Sequence, residues 1–162
     1  MFVFEWLHTT AYAVWVRESW GWALALTIHA FGNAIVVGLV LIIAMRLFGL
    51  FRTIPYTALP KLFPFIWVAI CFQVYSGFTL WMSKPGKYVH DWVFLTKFSL
   101  VCIGITLLVY FQRTISQQAS EWQANGKVTS KGIRFAAAAA LCWAFVIIMG
   151  RLTAYLGTLY VA

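Results

Sequence analysis

Acidic side chains are what this 162-residue sequence has least of. There are four, Glu5, Glu18, Asp91 and Glu121, and none lies inside a long apolar run. That excludes chemistry by paired carboxylates and leaves buried cations without an obvious counter-charge. All charged residues together make up 10% of the chain, against about 25% in soluble domains. Three cysteines, Cys71, Cys102 and Cys142, fall one in each of the last three apolar runs without CxxC spacing. A disulfide framework is therefore not expected, and they read as small buried hydrophobes. GxSxG and Gly-rich phosphate loops are absent. No period of 20–50 residues repeats, and only the run Ala136–Ala140 is of low complexity.

What is present is apolar: 63% of the residues are hydrophobic, more than a soluble core of this size needs, which places the chain in the membrane class. The net charge of +8 does not indicate nucleic acid. The basic residues are dispersed at the ends of apolar runs, a pattern that encodes topology.

Residues 1–19 carry Phe4, Leu7, Ala11, Val14 and Trp15 at helical spacing, with Glu5, Thr9, Arg17 and Glu18 between them. They predict an amphipathic helix in the membrane interface, with Trp6, Tyr12, Trp15, Trp20 and Trp22 at headgroup level. Ser19 is a candidate N-cap for the next helix. Residues 20–157 predict a four-helix transmembrane domain, with spans at about 20–46, 62–82, 92–113 and 132–157; about 20 residues suffice to cross. Pro55 and Pro60 stop helices in the first loop, residues 83–91 hold a Pro-Gly turn, and the polar third loop, 114–131, contains Asn125-Gly126. Ala30, Ala34 and Gly38 on the first span, and Ala136, Ala140 and Ala144 on the fourth, form stripes suited to close packing within the bundle or between protomers. Gly150 and Gly157 also read as packing positions.

Arg46, Arg52 and Lys61 flank the first loop, and Arg113, Lys127, Lys131 and Arg134 the third. The middle loop has Lys84 and Lys87, and the N-terminal segment only Arg17. The bias predicts both termini on the outer, periplasmic side of a bacterial inner membrane. In that orientation His29 sits roughly 5 Å outside its span's midpoint, and Lys97 and Arg151 roughly 7 Å outside theirs. Gln73, Tyr75 and Ser76 share that half. Facing inward together, these groups would form one polar pocket in the bundle.

Each candidate has a structural and a functional reading. Lys97 and Arg151 are either snorkelling anchors or contacts for an anion, such as haem propionates, a lipid phosphate or a small carboxylate. His29, with Asn33 one turn on, either hydrogen-bonds Ser76 or Gln73 across helices or serves as a haem axial ligand, a quinone partner or a metal ligand. His90 and His8 are interfacial histidines, and His90 is a candidate second ligand. Met45, Met82, Met149 and the cysteines are soft copper ligands by type but are scattered in depth.

The histidine-bearing first span ends in Arg46-Leu-Phe-Gly49, a proline-bounded second span follows, Phe94-Leu-Thr-Lys97 enters the third, and Arg151 lies late in the fourth. Over residues 19–157 this layout resembles a group of small four-helix bacterial membrane proteins, best matched by members of uncharacterised function. It is distantly similar to the HemJ-type protoporphyrinogen oxidases and, more loosely, to the CopD membrane domain. The resemblance implies that His29 and Lys97 match HemJ-type positions associated with haem b. Phe31-Gly-Asn-Ala-Ile-Val-Val-Gly38 departs from the HemJ-type first span, and that family's Asn-Glu-Pro in the fourth span has no counterpart. Porphyrinogen oxidation is therefore not implied.

The expected protein is an all-α, four-helix membrane bundle holding haem b at His29, with Asn33, Gln73, Ser76, His90, Lys97 and Arg151 around it. It would pass electrons between a quinol and a periplasmic partner. The alternatives are a non-redox or lipid-binding subunit of a larger complex, and a small-solute or copper transport accessory. No catalytic residue is assigned.

Overall fold

The computed structural model describes residues 2–83, 86, 88 and 90–159. Among the described residues, six α-helices follow one another: α1 (Phe2–Thr9), α2 (Ala11–Glu18), α3 (Gly21–Leu47), α4 (Phe63–Ser83), α5 (Trp92–Asn125) and α6 (Ser130–Leu159). A 3-10 helix, Tyr56–Leu62, leads into α4. Four of these segments are long and apolar enough to cross a membrane. The protein is an all-α, four-helix membrane bundle.

The helix ends follow from local chemistry. Thr10 has extended backbone, and its hydroxyl accepts from the Ala13 N–H. The N-terminal segment is thus two short helices where the periodicity predicts one, because Thr10 caps the second. Ser19 closes α2 by donating to the Trp15 carbonyl, and it accepts from the Gly21 N–H, so it serves both neighbouring helices. α3 ends in a Schellman motif: Leu50 N–H bonds the Met45 carbonyl and Gly49 N–H the Arg46 carbonyl, with Gly49 at φ +96°. Only a residue without Cβ takes that conformation cheaply. Pro60 lies inside the 3-10 helix, and Pro64 sits in the first turn of α4, where no N–H is needed. Asp91 caps α5 by accepting from the Val93 N–H.

α3 packs along α4 and α5 along α6, and the two pairs join through α3 against α6. At one end α4 also meets α5, through the edge-to-face rings of Phe63 and Phe111 and the Trp67 Nε1 bond to Gln112 Oε1 (2.8 Å). This loop end is where α3 passes into the 3-10 helix and α5 turns into α6. The opposite end, which carries α1 and α2, is the terminal end.

α5 is longer than the apolar pattern predicts. It runs on through residues 114–125 as helix because Ile115, Ala119 and Trp122, spaced four and three apart, bury one face of the polar stretch. Trp122 packs edge-to-face on Tyr56 and lies flat against Gly132, where an added Cβ would come within 2.8 Å of the indole. The turn itself falls at Gly126, as Asn125-Gly126 predicts.

Two packing expectations change. Ala30 and Ala34 are exposed and nothing lies within 4 Å of a Cβ placed on Gly38, so that stripe faces away from the bundle. Cys71 and Cys102 are also exposed, on the lipid side of the helices, and only Cys142 is buried, donating to the Leu100 carbonyl. The continuous apolar core is asymmetric. Its buried members run from Val36 to Leu47 on α3, Phe63 to Ile70 on α4, Leu108 to Trp122 on α5 and Ala136 to Val146 on α6. It fills the loop half and stops short of His29.

Candidate cofactor site

Where the core stops, α3 and α4 approach each other through small residues. A Cβ on Gly32 would lie 3.0 Å from Gln73 Cγ and 3.2 Å from the Ala69 carbonyl oxygen. One turn away, a Cβ on Gly77 would lie 3.4 Å from His29 Cε1. Gly32 and Gly77 therefore let the imidazole and the Gln73 side chain occupy the helix crossing. Gln73, Ser76 and Gly77 share one face of α4 because they are three and four residues apart.

His29 is held at two points. Gln73 Nε2 donates to its backbone carbonyl at 2.8 Å, and its Nδ1 lies 3.0 Å from Ser76 Oγ. Ser76 is fully buried, and its hydroxyl donates to the Phe72 carbonyl at 2.6 Å. A serine hydroxyl has one proton, and a carbonyl can only accept. With its proton on that carbonyl, Ser76 Oγ accepts from His29 Nδ1, the tautomer in which Nε2 carries a lone pair. Among the described residues Nε2 has no hydrogen-bond partner.

Lys97 approaches from α5. Its stem and ammonium lie across Gly150 of α6, with Nζ 3.4 Å from where a Cβ would be. The ammonium is near enough to act electrostatically on the His29 ring. Among the described residues it has no hydrogen bond and no carboxylate within 4.0 Å. Gly150 is thus a packing position, as its spacing suggests, and what it packs against is the lysine.

The remaining expected members are less gathered. Asn33 is half-buried and makes no hydrogen bond to the described residues. Arg151 follows Gly150 but is exposed, as is His90 in the turn before α5, and neither has a described partner. The structure brings His29, Gln73, Ser76 and Lys97 together and leaves Asn33, Arg151 and His90 at or beyond the margin. Among the described residues no three His, Cys, Asp or Glu side chains come together as metal ligands; His29 enters as a single imidazole.

Sequence reasoning missed two supports. Tyr12 of α2 meets Thr79 Oγ1 at 2.7 Å, one turn beyond Ser76 on the same face of α4, and thereby pins the N-terminal segment over the site. Gly77 has no motif around it and becomes legible only once His29 is seen against α4.

No protein-family model matches the chain, and no curated protein or solved structure is similar to it.

Proposed function

We propose that this protein binds a b-type haem in the terminal half of its bundle and serves membrane electron transfer. The observation that carries the proposal is the anchoring of His29: an imidazole held at its backbone by Gln73 and at Nδ1 by Ser76, with no described partner at Nε2, can offer that nitrogen to iron. The residues fit the group in a second way. Lys97, a cation without a counter-charge among the described residues, approaches from α5, and a porphyrin carries carboxylates.

When bound, haem supplies one-electron chemistry; the chain's own residues hold and tune it. Ser76 fixes the ring and its tautomer, Gln73 fixes the backbone that carries the ring, and Lys97 neutralises an anionic group. A quinol as electron donor and a periplasmic protein as acceptor complete the proposal. So does a bacterial inner-membrane location with both termini periplasmic, supported by exposed Arg52, Lys61, Arg113, Lys127, Lys131 and Arg134 at the loop end.

One observation favours a rival reading, a non-redox subunit of a membrane complex. The exposed stripe of α3 lines an apolar groove of about 460 Å³ between Ala34, Gly38 and Phe65, open to whatever lies beside the bundle. A reduced-minus-oxidised spectrum with a pyridine haemochrome assay, on detergent-purified protein expressed with haem supplied, decides between them. Stoichiometric b-type haem supports the redox reading. A flat spectrum from folded protein overturns it in favour of the subunit.

A further inference from the structure

The loop end holds a second buried cation that the site above does not use. Arg46, in the last turn of α3, is only 6% exposed. Its guanidinium lies 3.8 Å from the centre of the Tyr56 ring, and its Nε donates to the Ile54 carbonyl. Those contacts fix the plane of the group and consume one of its five N–H donors. Nη1 and Nη2 have no hydrogen-bond partner among the described residues, and no described carboxylate is within 4.0 Å. Neither atom is sealed off: among the described residues only the indole nitrogens of Trp122 and Trp143 are fully buried and unpaired. At the helix end the carbonyls of Ala44, Met45 and Arg46 accept from Phe48, Leu50 and Gly49, and none of them supplies the guanidinium with a full counter-charge.

The depth of the group indicates what could. Phe48, Leu50 and Phe51, just beyond Arg46 in the chain, are apolar and 46–48% exposed. A loop of this kind is stable only when immersed in the membrane boundary. Arg46 therefore lies at headgroup level, where lipid phosphates are and bulk anions are scarce. We propose that Arg46 is a phosphate-binding site, in which the paired Nη groups grip the oxygens of one phosphate while Tyr56 and Ile54 hold the guanidinium in place. The planar fork suits two phosphate oxygens at once. The phosphate would come from a lipid headgroup or from inorganic phosphate, and the two are separable.

The test uses the wild-type chain in dodecyl maltoside, which contains no phosphate. Phenylglyoxal modification is followed at each arginine by peptide mass spectrometry, with no addition, with dioleoylphosphatidylglycerol, or with inorganic phosphate. The expected result is that Arg46 reacts in detergent alone and is slowed about tenfold by the lipid, the change that 1.4 kcal/mol of binding would give. Exposed Arg52 and Arg113 should change less than twofold. Protection by inorganic phosphate at least as strong as by the lipid assigns the site to free phosphate. Equal protection of all three arginines, no protection of Arg46, or an Arg46 that never reacts overturns the proposal. Arg46→Lys keeps the charge and loses the fork, and should bind the lipid about tenfold less well than wild type by native mass spectrometry. Arg52→Gln should bind as wild type does. Wild-type binding by Arg46→Lys together with loss in Arg52→Gln would reduce the effect to net surface charge and overturn the proposal.

Discussion

The two halves of this bundle treat a buried cation in opposite ways. In the loop half, Arg46 is clamped before any ligand arrives: it stacks on Tyr56, bonds Ile54, and sits beside a continuous apolar core that includes Phe63, Phe111 and Trp122. In the terminal half, Lys97 rests on Gly150 with nothing among the described residues to hold its charge, and His29 Nε2 has no described partner either. A side chain whose neighbours satisfy it contributes to the fold. One whose neighbours leave it unsatisfied lowers stability, and in a membrane such residues usually mark function. The asymmetry of the core makes the same division: the loop half packs around Arg46 and leaves only its outer Nη groups for a ligand, whereas in the terminal half neither Lys97 nor His29 Nε2 has a described partner.

The largest effect that would break this comparison lies at His29. His29→Ala is expected to abolish haem binding, read by the pyridine haemochrome assay, while the purified protein stays helical by circular dichroism. Full haem retention would remove His29 as ligand. Ser76→Ala, which frees the ring to take either tautomer, should retain haem with a shifted spectrum or potential. An unchanged spectrum would mean that Ser76 does not orient the ring.

The next test sets the two cations against each other. Arg46→Met leaves the Ile54 carbonyl without its donor and removes the stack on Tyr56, so it should destabilise by about 2 kcal/mol. Lys97→Met removes an unpaired ammonium and should stabilise the ligand-free protein by about 1 kcal/mol while weakening ligand binding. Thermal unfolding in detergent reports both signs. Equal destabilisation by the two variants would mean that Lys97 is as well accommodated as Arg46.

A third contrast uses glycines. Gly132→Ala forces a methyl into the Trp122 ring and should cost about 1–3 kcal/mol. Gly38→Ala meets nothing within 4 Å and should stabilise by about 0.5–1 kcal/mol. Destabilisation at Gly38, with loss of an oligomer on size exclusion, would show that its open face is occupied by another helix.

The smallest effect concerns Tyr88, between the second and third spans. Burial, assisted by the nearby Asp91 carboxylate, raises its phenol above the ordinary value. The folded state therefore holds that proton more tightly than the unfolded chain does. Its contribution is fully present below about pH 10 and is lost as pH rises beyond that. Tyr88→Phe should flatten the alkaline decline in unfolding temperature. An unaltered decline would assign it to other groups.

Much of the bundle was legible from period and composition. The four spans, the Gly126 turn and the proline-marked start of α4 all rest on local rules, and local rules survive folding. The continuation of α5 was less legible because a polar stretch becomes helical only when Ile115, Ala119 and Trp122 find the 3-10 helix and Gly132. The stripe at Ala30, Ala34 and Gly38 misled in the same way: small residues permit a close approach, and the helix that approaches α3 does so through Gly32. In the candidate site, His29 and Lys97 stood out because charge and imidazole are costly in lipid. Their supports did not, because glycine and serine carry no signal until their neighbours are known.

The sequence by itself determined that this chain is a four-span membrane bundle with ionisable groups in one half, since hydropathy and span length depend only on the order of residues. It also determined the shortage of acids that leaves those cations unpaired. Only the tertiary structure decided which cations stay unsatisfied, that Ser76 meets Nδ1 of His29, and that Arg46 is gripped by Tyr56 and Ile54. Those outcomes depend on which faces of α3, α4, α5 and α6 meet, and helix faces are chosen by packing across the whole bundle.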